Sequence, residues 1–384
     1  MCLSMELSMP GKTLAGSGCI LKIGSLAEEL GCKNACLILD AALENPEFKS
    51  IIIKNLEDFG IGINYSTVIT SEPTLKLLQE LSGNDSILDC DLIIAIGGGS
   101  TLDTGKLLPA AATNPVFARD IRNSSAIEKD PLPFIAVPTT AGTGAEATPN
   151  AILLDELTHE KTGIISTKMI PDIVLLDGDL TRRLPFPVAV STGFDALSHA
   201  LESCTSKRKN DFTSLFALEF IRIIFSHLED ACINNCGASR QKMLEASFYA
   251  GVCLTTSSTH VVHAMAYPLS ARYGIRHGSS ISTLLPPVMK ALRPRCVEYF
   301  SEVGKRCLDL QPGISDEQAS VSLINKIYDM AEHLSVPADF SRFGVKRKDI
   351  GALSREAVKI KRLFDNSPAC LSGEEIQKIY KEVI

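Results

Sequence analysis

The chain has 384 residues, of which 45% are apolar and 22% are charged, and its formal net charge is −7. This length exceeds what one hydrophobic core usually serves, so two domains are expected. The composition is typical of a globular protein, and the acidic balance disfavours a surface that binds nucleic acid or anionic membranes.

The sequence gives no sign of a membrane or export segment. No apolar run reaches the roughly 18 residues that a membrane-spanning helix needs. The start of the chain carries Glu6 and lacks the continuous apolar core of a signal peptide. We therefore expect a cytoplasmic protein whose twelve cysteines are reduced thiols.

The first half of the chain alternates β-rich runs with helical patterns. The apolar runs predict five strands, at 35–39, 64–69, 91–96, 134–137 and 173–176. Helical patterns lie between them, for example at 23–30 and 72–81. Alternation of this kind predicts a parallel sheet with helices on both faces.

The second half is predicted to be mostly helical. Segments with a helical period follow one another, at 193–204, 211–234, 240–255, 315–334 and 373–383. We expect the boundary at Pro185, because Pro185 and Pro187 interrupt regular structure. The prediction is an α/β domain over residues 1–184 and an all-α domain over residues 185–384.

Two loops at strand ends suggest a phosphate and ribose ligand. The run 97–100 (GGGS) follows a predicted strand and precedes a helix that we expect to begin near Leu102. Glycines admit a pyrophosphate to the backbone, and a helix N-terminus offers unpaired N–H groups. The loop 138–144 (PTTAGTG) follows the next strand and carries three threonine hydroxyls. For the run 97–100 the alternative is a plain tight turn, because the spacing is not GxGxxG. For the loop 138–144 the alternative is a β-turn with surface threonines.

Asp40 follows the first predicted strand. A carboxylate there can accept hydrogen bonds from a ribose diol and would repel a 2′-phosphate. The alternative is a turn residue at the end of the strand, and the sequence alone does not separate the two.

Four residues have the chemistry of a metal site. Asp195 and His199 are four apart on a helical pattern, so their side chains leave one face a turn apart, although a hydrogen bond between them is the alternative. With His263 and His277 they offer one carboxylate and three imidazoles, a set that suits Fe²⁺, Zn²⁺, Co²⁺ or Ni²⁺. His260, close to His263, is a rival ligand.

Taken together, these motifs resemble the iron-dependent (group III) alcohol dehydrogenase family. GGGSTLDTGK (97–106) is similar to that family's GGGSxxDxxK, and PTTAGTGAE (138–146) to its PTTAGTGSE, with Ala145 in place of serine. GFDALSHALE (193–202) is similar to its metal-ligand helix, and VHAMAYPL (262–269) with RHG (276–278) to its remaining ligand segments. The resemblance runs from Gly16 through His277 and less clearly to the end.

The resemblance implies a dinucleotide-binding α/β domain and a helical domain, the fold that this family shares with dehydroquinate synthase. It favours His263 over His260 and implies four metal ligands, Asp195, His199, His263 and His277, with Fe²⁺ as the first expectation and Zn²⁺ as the second. It implies NAD rather than NADP. The implied cofactor contacts are Asp40, Gly97, Gly98, Gly99, Ser100, Asp103, Thr139, Thr140, Thr143 and Lys161.

The sequence departs from the family pattern beside the third ligand. Tyr267 stands where the family often has a second histidine that is implicated in proton movement, and Ser270 replaces a glycine. A tyrosine can relay a proton, but its ordinary pKa of about 10 makes it a poorer base at neutral pH. Tyr267 is the candidate catalytic residue, and its segment resembles a branch that includes phosphonoacetaldehyde reductases.

The expected function is a metal-dependent transfer of a hydride between NAD(H) and a small primary or secondary alcohol, aldehyde or ketone. Three alternatives stay open: a phosphonoacetaldehyde-type reductase, a ligand-binding relic without activity, and a non-redox cyclase resembling 3-dehydroquinate synthase. For the cyclase, Arg272 and Arg276 could hold a phosphate-bearing substrate. A homodimer is expected because family members are commonly dimers or larger; no nucleic-acid or membrane partner is expected.

Overall fold

The computed structural model describes residues 7–155 and 161–384. Within it the chain forms two compact units. One contains Ser8–Thr140 and Gly144–Arg182, and the other contains Ala141–Thr143 and Arg183–Ile384. The short segment 141–143 therefore groups with the second unit, although it lies within the first half of the sequence.

The first unit is built on a parallel sheet, as the alternating pattern predicts. Its strands are β1 (Lys12–Ala15), β2 (Asn34–Asp40), β3 (Gly62–Ile69), β4 (Leu92–Gly97), β5 (Phe134–Pro138), β6 (Asn150–Leu154), β7 (Lys161–Ile165) and β8 (Ile173–Leu176). The six-stranded sheet has the order β1-β8-β5-β4-β2-β3 with parallel neighbours. Strand β4 is buried throughout, as expected for a central strand covered on both faces.

In the described part of this unit, six α-helices accompany these strands. They are α1 (Ile23–Glu29), α2 (Pro46–Glu57), α3 (Leu75–Ser82), α4 (Asp85–Leu88), α5 (Gly99–Thr113) and α6 (Pro115–Arg119). The sequence did not predict β1, a four-residue strand at the edge of the sheet, or the antiparallel hairpin of β6 and β7. Strand β1 is mostly exposed, so it lacks the apolar run that marks its buried neighbours.

The second unit is helical, which confirms the predicted fold class. Its helices are α7 (Phe186–Thr205), α8 (Asp211–Ile233), α9 (Gly237–Ser257), α10 (Val261–Tyr273), α11 (His277–Leu292), α12 (Val297–Cys307), α13 (Asp316–His333), α14 (Ile350–Lys359), α15 (Lys361–Phe364) and α16 (Gly373–Glu382). No helix in the described ranges is long and apolar enough to cross a membrane.

The sequence predicts that Pro185 and Pro187 interrupt regular structure, but both lie at the start of a helix. Helix α7 begins at Phe186 rather than near Gly193, with Pro185 at its N-cap and Pro187 in its first turn. A proline there loses no hydrogen bond, because the first N–H groups of a helix have no partner within it. Helices α10 and α11, which the sequence analysis did not predict, each contain proline inside the helix.

Helix α7 carries two of the proposed ligands and packs closely on α8. A Cβ atom at Gly193 would lie 2.2 Å from Leu228 Cδ1, so a larger residue there would force the Leu228 side chain to move. At Gly193, helix α7 therefore lies directly against a side chain of α8.

Candidate metal and cofactor sites

Helix α7 presents three chemically active side chains on one buried face. Asp195, His199 and Glu202 follow one another at helical spacing. Their exposed fractions are 2%, 5% and 0%. Buried carboxylates and imidazoles need partners, and these partners come from neighbouring helices.

Three imidazoles converge on the carboxylate of Asp195. Its Oδ1 lies 3.7 Å from His199 Nε2, 3.6 Å from His263 Nε2 and 3.6 Å from His277 Nε2. This oxygen is buried and has no hydrogen-bond partner among the described residues. The donor atoms of Asp195, His263 and His277 all lie within 4.8 Å of one another, and His199 Nε2 is 2.9 Å from His263 Nε2. This set of one oxygen and three nitrogens fits a divalent transition metal.

The opposite nitrogens of two rings are held by acceptors. His199 Nδ1 lies 3.1 Å from the carbonyl oxygen of Gly142, and His263 Nδ1 lies 2.6 Å from Glu202 Oε2. An Nδ1–H that donates to such an acceptor leaves Nε2 with a lone pair for a cation. Both rings are therefore oriented as metal ligands require.

His260, the rival ligand, is engaged elsewhere. It is fully buried, its Nδ1 accepts the N–H of Val261 at 2.8 Å, and its Nε2 lies 2.9 Å from Thr205 Oγ1. Because both ring nitrogens already have partners, neither is available to a cation. His260 lies next to Glu202 and does not belong to the group of donor atoms formed by Asp195, His263 and His277.

The charges of the cluster suit a cation. Burial raises the pKa of Asp195, but the nearby imidazoles outweigh burial and hold that pKa below its ordinary value. Burial lowers the pKa of His199, which favours the neutral ring. Burial also lowers the pKa of His263, but Glu202 and Asp195 outweigh it and raise this pKa to about 9. A cation that binds His263 near neutral pH would therefore displace a proton.

Tyr267 lies beside the same cluster. It is one turn after His263 on α10, and its ring centroid is 6.1 Å from that of His277, with the rings stacked. Burial raises the pKa of the Tyr267 hydroxyl, while a hydrogen bond with Arg362 acts in the opposite direction. Because the pKa is raised overall, the hydroxyl stays protonated at neutral pH and can donate a hydrogen bond.

The two arginines of the cyclase alternative are placed differently. The guanidinium of Arg272 forms a two-pronged ion pair with Glu356, and Arg276 is an exposed residue at the N-cap of α11. The pair with Glu356 leaves Arg272 poorly suited to bind a phosphate.

The glycine loop forms the N-terminus of α5. The helix begins at Gly99, earlier than the predicted start near Leu102, and Gly98 at the N-cap supplies no side chain to the first N–H groups. A Cβ atom at Gly97 would lie 2.6 Å from Thr101 Cβ and 2.8 Å from Asp40 Cβ, so only glycine fits there. Gly99 and Ser100 occupy the first turn, where an anion can bind the free N–H groups.

Asp40 meets this loop at the end of β2. Its Oδ1 accepts the N–H of Ala42 at 2.9 Å, and its Oδ2 lies 3.5 Å from both Gly98 N and Thr101 Oγ1. The residue therefore caps a turn and also places a carboxylate oxygen at the start of α5. The two interpretations of Asp40 from sequence are compatible.

The threonine loop adjoins the glycine loop. The N–H of Thr139 donates to the carbonyl of Gly97 at 3.0 Å, and a Cβ atom at Gly98 would lie 3.3 Å from Thr140 Cγ2. Thr143 belongs with the helical unit. The structure thus brings Thr139 and Thr140 to the glycine loop.

Asp103 and Lys161 have other partners. Asp103 is buried, its Oδ2 accepts the N–H of Ile152 at 3.0 Å, and its Oδ1 lies 3.6 Å from Lys106 Nζ. These contacts hold β6 against α5. Lys161 Nζ pairs with Glu72 Oε1 at 2.6 Å. The described contacts of both residues are therefore with protein groups outside the glycine loop, and their contact with a cofactor stays a prediction.

Comparisons with known proteins identify the family. Residues 10–178 match the iron-containing alcohol dehydrogenase family, and residues 189–384 match the C-terminal domain of the Fe-containing alcohol dehydrogenase family. The chain belongs to the iron-containing alcohol dehydrogenase family. This confirms the resemblance that the motifs predicted.

Relatives in this family match nearly the whole chain. A probable alcohol dehydrogenase of Escherichia coli is 30% identical over 97% of this chain and 93% of its own length. The NAD-dependent methanol dehydrogenase of Bacillus methanolicus is 26% identical over 98% and 99%. The solved alcohol dehydrogenase from Oenococcus oeni is 30% identical, with a TM-score of 0.92 and coverage of 99% and 100%. These comparisons do not favour the cyclase or the phosphonoacetaldehyde alternative.

Proposed function

We propose that this iron-containing alcohol dehydrogenase family member is a metal-dependent oxidoreductase that transfers a hydride between NAD(H) and a small alcohol, aldehyde or ketone. One observation carries the proposal. A buried carboxylate oxygen without a hydrogen-bond partner among the described residues faces three imidazole Nε2 atoms at 3.6–3.7 Å. A buried oxygen of this kind is costly unless a cation satisfies it.

Asp195, His199, His263 and His277 would hold the metal, with Fe²⁺ proposed first and Zn²⁺ as the alternative. The bound cation would supply a Lewis acid for the substrate oxygen, and the bound nicotinamide would supply or accept the hydride. The protein's part is to hold Nε2 of His199 and His263 toward the site through the acceptors on Nδ1. The Tyr267 hydroxyl would donate a hydrogen bond to the substrate oxygen or to a water.

The first turn of α5 and the threonine loop would bind the cofactor. Free N–H groups at the start of α5 suit a pyrophosphate, and Asp40 Oδ2 lies beside the first of them. We propose NAD rather than NADP, because a carboxylate at this position accepts ribose hydroxyls and repels a 2′-phosphate.

Replacing Asp40 tests this cofactor preference. Asp40→Gly is expected to shift the ratio of kcat/KM values toward NADPH, because the repulsion and the ribose hydrogen bonds are both lost. Steady-state rates with each cofactor measure the ratio. Asp58→Gly, which removes an acid from the C-terminal end of α2, is the control and should leave the ratio unchanged. An unaltered ratio in Asp40→Gly would mean that Asp40 serves only the turn.

Replacing Tyr267 tests its role as a donor rather than the main base. Tyr267→Phe is expected to reduce the rate by roughly tenfold or less, the low side of what acid–base groups contribute. Tyr267→His should be tolerated, because the family often has histidine there. Tyr273→Phe, on the same helix, is the matched control. The role is wrong if Tyr267→Phe abolishes hydride transfer while metal and NADH still bind, or if it alters substrate choice without changing the rate.

A screen of short aldehydes and ketones with NADH tests the proposed activity. We expect NADH consumption with at least one small carbonyl compound and the reverse reaction with its alcohol. A cyclase or an inactive relic would consume no NADH with any member of the panel. Greater rates with an anionic aldehyde than with its neutral analogue would revive the phosphonoacetaldehyde alternative.

Location and assembly are also proposed from the sequence and the family. We propose a cytoplasmic protein that acts on small molecules as a homodimer. Light scattering after size exclusion should give twice the mass of one chain.

A further inference from the structure

Glu202 is a fully buried carboxylate next to the proposed metal ligands, on the Nδ1 side of His263. We propose that Glu202 is a positioning residue, which fixes the ring orientation and tautomer of His263 and thereby determines how tightly the protein holds its metal. This inference rests on the metal centre proposed above. No sequence motif assigned a role to Glu202, but it lies three residues after His199 on the same face of α7.

The two carboxylate oxygens of Glu202 contact the ring of His263 and the backbone N–H of Val262. Oε2 lies 2.6 Å from His263 Nδ1, and Oε1 accepts the N–H of Val262 at 2.8 Å. Since Val262 immediately precedes His263, the carboxylate fixes the start of α10 and the direction of the ring together. With Nδ1–H donated to Glu202, Nε2 on the side that faces Asp195 is the nitrogen left to bind a cation.

His260 lies on the other side of the carboxylate. Its Nδ1 lies 3.0 Å from Glu202 Oε1, and its Nε2 is 2.9 Å from Thr205 Oγ1. Thr205 in turn donates to the carbonyl of Leu201 on α7. The carboxylate thus lies between His260 and His263, and its oxygens are on the Nδ1 side of His263. Glu202 therefore orients a ligand and is not one itself.

The two donors that meet Glu202, His263 Nδ1–H and Val262 N–H, both require an acceptor. A glutamine at this position would offer only one acceptor and would turn an NH₂ group toward one of the donors. Facing His263, that NH₂ would force Nδ1 to accept and place the proton on Nε2, where the metal should bind. Facing Val262, that NH₂ would lie against another N–H donor in a buried site, which is costly.

Metal affinity measures this role without relying on activity. The metal-free protein is titrated with Co²⁺, and the dissociation constant is read from the visible absorption of the bound ion. Glu202→Gln is expected to weaken Co²⁺ binding tenfold to a hundredfold, the usual effect of losing a group that orients a ligand. Glu202→Asp, which keeps the charge, should restore part of the affinity. Ser203→Ala is the matched control, since Ser203 is the buried neighbour on α7 whose hydroxyl has no partner among the described residues.

A second measurement covers the case in which Glu202→Gln does not fold. In wild-type protein loaded with Zn²⁺ and labelled with ¹⁵N-histidine, His263 should show a slowly exchanging proton on Nδ1. An unprotonated Nδ1 would overturn the inference. Equal Co²⁺ affinity in folded Glu202→Gln and wild type would overturn it as well, while wild type that binds no Co²⁺ would overturn the proposed metal centre together with it.

Discussion

Replacing His263 by alanine is expected to remove the bound metal and to abolish hydride transfer while the helical fold persists. His263 Nε2 lies 3.6 Å from Asp195 Oδ1 and 2.9 Å from His199 Nε2, so its loss opens the centre of the cluster. The loss in metal affinity should be at least tenfold to a hundredfold. His277→Ala should act in the same way, because its Nε2 faces the same oxygen at 3.6 Å.

Metal analysis of protein purified without air, with circular dichroism, measures this loss. His227→Ala is the control, because His227 on α8 pairs with Ser239 instead of the cluster and should keep full metal content. Full metal content and rate in either ligand variant would exclude that residue as a ligand. Loss of metal in His260→Ala but not in His263→Ala would identify His260 as the ligand in place of His263.

Adding one methyl group at Gly142 is expected to have an effect nearly as large. A Cβ atom there would lie 2.7 Å from Thr192 Cβ and 2.9 Å from the Thr192 carbonyl oxygen. Because α7 supplies this backbone, the loop must move away, and its carbonyl then leaves His199 Nδ1, now at 3.1 Å. We expect Gly142→Ala to weaken metal binding tenfold to a hundredfold and to lower activity in step.

The control for this experiment is another glycine with room for a methyl group. Among the described residues, a Cβ atom at Gly163 would meet only Ile152 Cδ1, at 3.9 Å, so Gly163→Ala should keep its metal and rate. Co²⁺ titration of both variants separates a loss at the site from a general loss of stability. Wild-type affinity in Gly142→Ala would show that the carbonyl does not hold His199.

The fold was largely predictable because its central elements have strong local patterns. Strand β4 is an apolar run buried on both faces, and α8 begins with Asn210 as a capping residue and continues at helical spacing. The edge strand β1 and the proline-containing helix α10 lack such patterns. Their formation depends on neighbours that are distant in sequence, such as β8 for β1.

The metal site was predictable only in part. The spacing of Asp195 and His199 indicates one pair of ligands and the residue types indicate a set with His263 and His277, but only the family motifs favour His263 over His260. Helical spacing from His199 could have revealed Glu202. The role of Gly142 could not be predicted, because the group that contacts His199 is a backbone carbonyl, and every residue has one.

The most direct test is the rate of NADH oxidation by one protein preparation as purified, after removal of metal by chelation, and after restoration of Fe²⁺ without air. With the best small aldehyde of the screen, the rate should be lost on chelation. It should return in proportion to the Fe²⁺ bound and reach its full value at one ion per chain. Asp195→Asn treated in the same way should not recover. A chelated protein that holds no metal and still oxidises NADH at the full rate would contradict the proposed function.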